Sequence, residues 1–238
     1  MLFRSVKKLP ETDTQRLAVL QRALDQDELS DAPDKILTTP EFHEIRLFLL
    51  SFEGTCFVNK QATSDEINAE KEYEQLFNKA QLYISHFIQV LQLAAIRNEI
   101  KPEALMLYGF DRGKEMELPS LSTEEDVLLW GDQLIKGETE RTYQGGAPMY
   151  NPAIAKVKVH YDLFKESVQS LKIYRKNNDR SQGAIKDVRD RADEYIWMIW
   201  NRVEEKYWGL SAAARTKKFE DYLIDFHYRK GEQLDVFG

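Results

Sequence analysis

Two stretches of this chain carry one helical apolar face, repeated at a separation of 112 residues, and that repetition restricts the fold more than any bulk property does. Tyr73, Leu76, Ala80, Tyr83, Ile84, Phe87, Ile88 and Leu91 fall on Ile185, Val188, Ala192, Tyr195, Ile196, Ile199, Trp200 and Val203. Their spacing follows one face of a helix of period 3.6. Upstream, Phe42, Ile45, Leu49, Phe52 and Cys56 fall on Ile154, Val157, Tyr161, Phe164 and Val168 at the same offset. Between the two faces lies a polar gap, around Thr63, Glu66 and Glu70 in the first copy and Arg175, Asn178, Asp179 and Gln182 in the second. A short helix precedes each. Thr12 and Asp13 cap one that carries Leu17, Leu20 and Leu24, and a Ser122-x-x-Glu125 capping box opens one that carries Val127, Trp130 and Leu134.

These patterns predict an all-α chain. Two tandem repeats, 9–99 and 118–210, each give a short helix and a long helical hairpin with a polar tip, the first tip near 60–64. A single very long helix is the weaker alternative, since 59–72 has no Gly or Pro to break it. Thr39-Pro40 and Asn151-Pro152 read as matching helix starts. Half of such an assembly would expose its core, so the expectation is one domain over 1–238, an elongated antiparallel four-helix bundle with a pseudo-two-fold axis. The tail, 211–238, opens with a helix-prone basic piece and continues into Tyr222–Tyr228, where dense aromatic and β-branched residues favour a short strand over a helix.

Composition excludes several function classes. The net charge of −7 argues against nonspecific binding of nucleic acid, and both halves are acidic, with 14 basic and 20 acidic residues before position 119 and 19 and 20 after it. The one cysteine, Cys56, rules out an internal disulfide and a cysteine-based zinc site. Met1–Asp13 has no apolar core of a secretory signal, and the longest apolar-rich run, 83–96, is too short to span a bilayer. The expectation is a cytoplasmic protein with neither nucleic acid nor membrane as a partner.

Four further segments, Leu118-Pro119, Trp130-Gly131, Gly137-Glu138 and Gly145-Gly146-Ala147-Pro148-Met149-Tyr150-Asn151-Pro152, form the pattern LP…WG…GE…GG-x-PM-x-NP. In this the chain resembles a set of uncharacterised, all-helical bacterial proteins of unknown function. The resemblance covers most of the chain and implies an all-helical fold. It supplies no activity and no functional residues.

Few residue patterns in the chain carry chemistry. A di-iron carboxylate bundle needs Glu-x-x-His pairs, but the residues three before His43, His86, His160 and His227 are Pro40, Tyr83, Val157 and Ile224. Metalloprotease, nucleophile-elbow and phosphate-loop motifs are absent as well, so no metal, cofactor or catalytic residue is assigned. His86 lies next to the core stripe and reads as a partly buried core residue before a catalytic one. The aromatics Trp130, Trp197, Trp200, Trp208, Tyr83, Tyr195 and Tyr207 read first as core, and second as the lining of a pocket between the repeats near His86, Trp130 and Trp200. Gly145-Gly146 precedes a helix start, which suits an anion, but no P-loop Lys or Ser/Thr stands beside it. The leading expectation is a non-enzymatic scaffold or interaction protein that binds another protein or itself. A small-molecule binder or enzyme with that aromatic pocket comes second, and a membrane-active helical protein third, disfavoured by its polar tips.

Overall fold

Helical periodicity governs the long elements, and it outlasts the turn signals written across them. The computed structural model of the protein describes residues 6–111, 118–224 and 226–227. The element order is β1 (Val6–Lys7), α1 (Asp13–Leu29), α2 (Thr39–Ile96), α3 (Glu124–Tyr143), α4 (Ile154–Tyr207), α5 (Ala212–Asp221) and β2 (Phe226–His227), with 3₁₀ turns at Ala32–Asp34 and Pro102–Tyr108. The protein is all-helical, apart from the two-residue antiparallel pair of β1 and β2, which sets Val6 against His227 and Lys7 against Phe226. Of the strand expected over 222–228, only Phe226–His227 pairs, whereas Tyr222, Leu223 and Ile224 turn at the end of α5 with their amides bonded back to Phe219 O and Glu220 O. Asp225 and Tyr228, also within the expected strand, lie outside the described residues.

The long helical hairpins are a correction. Both expected tips, near 60–64 and at the counterpart gap around 175–182, lie inside continuous helices, α2 of 58 residues and α4 of 54. Thr63, Ser64 and Glu66 can cap a helix, but with no Gly or Pro the backbone bonds continue through them at a cost of only about 0.5 kcal/mol per residue. The polar gap has side-chain partners instead. Asn59 Nδ2 donates to Ser181 Oγ at 3.2 Å, and Arg175 reaches Glu66 and Glu70 at 3.7 and 2.9 Å.

The chain forms two compact units, Met1–Ala62 with Asn178–Gly238, and Thr63–Asn177. Unit 1 packs α1, the first part of α2, the second part of α4, and α5 around Leu20, Ile45, Phe52, Ile185, Ile196, Ile199 and Trp200. Unit 2 packs the second part of α2, α3 and the first part of α4 around Ile84, Phe87, Ile88, Leu91, Leu134, Val157 and Phe164. The unit boundaries therefore cut through both long helices. All of the apolar positions paired at the 112-residue offset are buried or half-buried. Full burial of a side chain such as Phe52 or Phe87 contributes roughly 2–3 kcal/mol, so these faces hold each unit together.

Helix starts differ in detail from the sequence reading. Thr12 caps α1 with a reciprocal bond to Gln15, as Thr123, one residue after Ser122, caps α3 with Asp126. Ser122 instead shares a hydroxyl hydrogen bond with Ser120. At α2 the carbonyl of Thr38 accepts the first helical bond, from Phe42 N, while Thr38 N and Oγ1 donate to Glu41 Oε2. Asn151-Pro152 does not begin α4, which starts at Ile154. The cause lies in the connection before it.

Candidate functional site

The densest buried polar cluster joins α3 to its flanking connections in unit 2. Gly137 brings α3 against the 3₁₀ turn, where a Cβ would stand 2.6 Å from Leu107 O and 2.7 Å from Tyr108 Cδ1. This close approach places Tyr108, Glu138 and Arg141, all buried, in one network. Glu138 Oε2 accepts from the Tyr108 hydroxyl and from Arg141 Nε at 3.1 Å, and Arg141 Nη2 spans both carboxylate oxygens at 3.0 Å. Arg141 also donates to the Tyr108 oxygen at 2.7 Å and to Ala147 O at 2.7 Å, while Met149 N donates to Glu138 Oε1 at 2.7 Å. The connection 144–153 is thus tied back to α3 at Ala147 and Met149, which holds the chain away from α4 until Ile154. Burial, and then the hydrogen bond to Glu138, pushes the Tyr108 phenol well above its ordinary range. Each oxygen of Glu138 is taken by donors from this same network. That is the chemistry of a clasp, since a general base or a metal ligand needs an open lone pair facing a substrate or ion.

The sequence-chosen residues are divided between the two units. Trp200 is buried in unit 1, its Nε1 donating to Tyr222 O at 3.2 Å. Trp130, in unit 2, is half-buried with its ring 5.1 Å from that of Phe110. His86, also in unit 2, is exposed, which corrects its reading as a partly buried residue. At 100° per residue it points away from the stripe of Ile84, Phe87 and Ile88. Among the other histidines, His43 is exposed and His160 stacks on Tyr83 at 4.1 Å between ring centres. Burial, followed by Lys79 and Lys156, lowers the His160 pKa, and its Nδ1 has no hydrogen-bond partner among the described residues. Cys56 is half-buried against the unit 1 core, and burial pushes its thiol up, away from a reactive thiolate.

Two clefts have room for a small ligand. One of about 330 Å³ in unit 1 is lined by Leu9, Pro10, Val19, Trp200 and Leu223, with Lys8, Glu11 and Gln15 supplying its polar groups. Those polar groups are engaged with one another. Lys8 pairs with Glu11 at 2.6 Å, and Gln15 Oε1 accepts from Glu11 N and Thr12 N. The second, about 380 Å³ in unit 2, is lined by Tyr73, Glu74, Phe77, Asn78, Ser122 and Glu124. There Tyr73 donates to Glu124 at 3.1 Å, and burial together with that bond pushes its phenol up to about 12. Among the described residues no three of His, Cys, Asp and Glu converge as metal ligands, and no helix is long and apolar enough to cross a membrane.

The least expected surface lies on the first part of α2. Leu47, Leu50, Phe57 and Val58 are 70, 63, 70 and 58% exposed, although helical spacing places them together in one stripe with Gly54. A Cβ at Gly54 would meet nothing within 4 Å, so the stripe has a notch at its middle. The sequence held a signal for it: a second apolar period out of phase with the core face of Ile45, Leu49 and Phe52. The positions 112 residues on, Val159, Asp162, Glu166, Gln169 and Ser170, are polar apart from the first. Comparisons of the chain with protein-family models, with curated proteins and with solved structures find no match.

Proposed function

We propose that this protein is a non-enzymatic helical scaffold that docks another protein chain on the apolar stripe of α2. The observation that carries this reading is the contrast between Leu47, Leu50, Phe57 and Val58, exposed on α2, and the mostly polar residues at the corresponding positions of α4. Four exposed side chains of this size present roughly 500 Å² of apolar surface, at the scale that marks interaction sites on monomers. A second reading, a small-molecule binder that uses Trp200, draws support from the 330 Å³ cleft of unit 1. It is the weaker of the two because the polar groups at that cleft are already satisfied by each other.

Beneath both lies a duplicated design, in which each long helix contributes its first part to one unit and its second part to the other. Supporting it are the shared burial of the paired faces and a shared device in the connections. Asp27 near the end of α1 binds Leu37 N, and Glu138 near the end of α3 binds Met149 N, with Leu37 and Met149 again 112 residues apart.

A photo-reactive phenylalanine analogue at Val58, compared with one at Ser170, tests the docking reading in the cells that make the chain. Cross-linked protein at 58 and none at 170 is the expected result. Equal yields at both positions, or none at either, would remove it.

A further inference from the structure

Resting on that reading, we infer that the occupant of the α2 stripe is a second copy of this chain, laid antiparallel across the first. The intervals from Leu47 to Leu50, to Gly54 and to Phe57 are 3, 4 and 3 residues, the same from either end. A two-fold axis at the level of Phe52 sets Leu50 of one copy opposite Gly54 of the other, and Leu47 opposite Phe57, each contact occurring twice. An isologous interface demands this property, because one patch must fit itself.

The sizes agree with the spacing. Gly54 leaves open space where a Cβ would stand, and the side chain delivered to it is the 63% exposed Leu50. Small against large lets two helices approach within the 8–10 Å of close packing, whereas Leu or Phe at position 54 would hold them apart. The corresponding stretch of α4 has Asp162 and Glu166 where α2 has Leu50 and Gly54, so the same rotation there would bring acidic groups together.

Area sets the strength. Roughly 500 Å² per copy falls short of the about 800 Å² per partner of a standard stable interface, so the dimer is weak, with a Kd on the order of 10 μM to 1 mM. Glu53, exposed beside the stripe, approaches its own counterpart near the axis, and added salt screens that contact and tightens the dimer.

Sedimentation equilibrium of the full chain from about 10 μM to about 1 mM tests this, with a reversible monomer–dimer equilibrium expected. Leu50→Arg and Gly54→Leu should each weaken it at least tenfold, with helix content by circular dichroism unchanged. The register is read in a Cys56→Ser background, by mixing copies carrying Leu50→Cys with copies carrying Gly54→Cys and adding a short thiol cross-linker. Products joining 50 to 54 should exceed those joining 50 to 50 or 54 to 54. A dimer indifferent to both substitutions, or cross-linked without that preference, overturns the inference. A chain monomeric throughout also overturns it; the docking reading then survives if the probe at Val58 captures a different protein, and falls with it if the probe captures none.

Discussion

In unit 1 the buried carboxylate of Asp27 accepts two backbone N–H groups, from Ile36 at 2.5 Å and Leu37 at 3.1 Å. In unit 2 the buried carboxylate of Glu138 accepts one, from Met149, and adds Arg141 and Tyr108. Both tie a short helix to the residues just before a long one. The connection in unit 1, residues 30–38, is held by Asp27 at adjacent amides, and its carbonyls at Pro33, Lys35 and Ile36 are reached by Lys206 and Arg202, two part-exposed cations of α4. The one in unit 2, residues 144–153, is held at Met149 and also at Ala147 O, a carbonyl that a carboxylate cannot bind and that Arg141 serves. The units differ in where the cation sits: Arg141 is buried beside the carboxylate it pairs with, so that network must be complete. Breaking such a pair strands a charge, while backbone-only satisfaction has less to lose.

Removing the carboxylate from each unit sharpens that contrast. Glu138→Ala leaves Arg141 buried without its carboxylate and should cost about 3–5 kcal/mol. Asp27→Ala leaves two amides short of an acceptor and should cost about 1–3 kcal/mol. Urea unfolding with amide exchange resolved to α3 and α1 measures both, and an equal cost in the two units would break the comparison. Replacing Tyr108, Glu138 and Arg141 together by Phe, Leu and Met should recover most of the loss, since an apolar set of similar shape leaves no group unpaired.

Gly137→Ala should cost about 1–3 kcal/mol, because its Cβ would meet the backbone oxygen of Leu107, which cannot rotate away. A thermal melt unchanged by this substitution would show that α3 can shift off the 3₁₀ turn.

The pH response should separate the units. Glu41, in unit 1, bonds Arg202 at 2.6 and 2.7 Å, and that pair, with Thr38, lowers its carboxyl from 4.5 to about 2. A lowered folded pKa contributes stability above the unfolded value, and that stability is lost as pH falls from about 4.5 toward about 2. The pair is partly exposed, so solvent screening leaves on the order of 1 kcal/mol. Glu41→Gln should flatten this part of the acid unfolding curve of unit 1; an unchanged curve would break the assignment. Smallest of all, Gly54→Ala should raise thermal stability by about 0.5–1 kcal/mol, as a helix-interior glycine with open space around it allows. A loss of stability there would mean that the notch is not open.

Much of the core was legible before any tertiary structure. Phe52, Phe87, Phe164 and Ile199 could be placed on buried faces because their spacing reports the direction of side chains along a helix. The hairpin tips were misread because Thr63, Ser64 and Glu66 look like a cap when taken locally, while their partners, such as Arg175 for Glu66, stand more than a hundred residues away. His86 adjoins a core stripe in sequence, yet a step of 100° per residue turns it to solvent. The clasp left a faint trace, a Glu138-x-x-Arg141 pair after Gly137, with no hint that Tyr108 would complete it.

By itself the sequence determined the helical class, the phase of each apolar face and the cap of α1 at Thr12, all of which follow from interactions within a few residues. Only the tertiary structure decided that α2 and α4 run unbroken, and that the first part of each packs with the second part of the other. Two faces of equal period are interchangeable until shape and buried polar partners choose between them, and that choice depends on groups far apart in the chain. It is also what left Leu47, Leu50, Phe57 and Val58 outside the core, on a helix whose other face was sufficient to build unit 1.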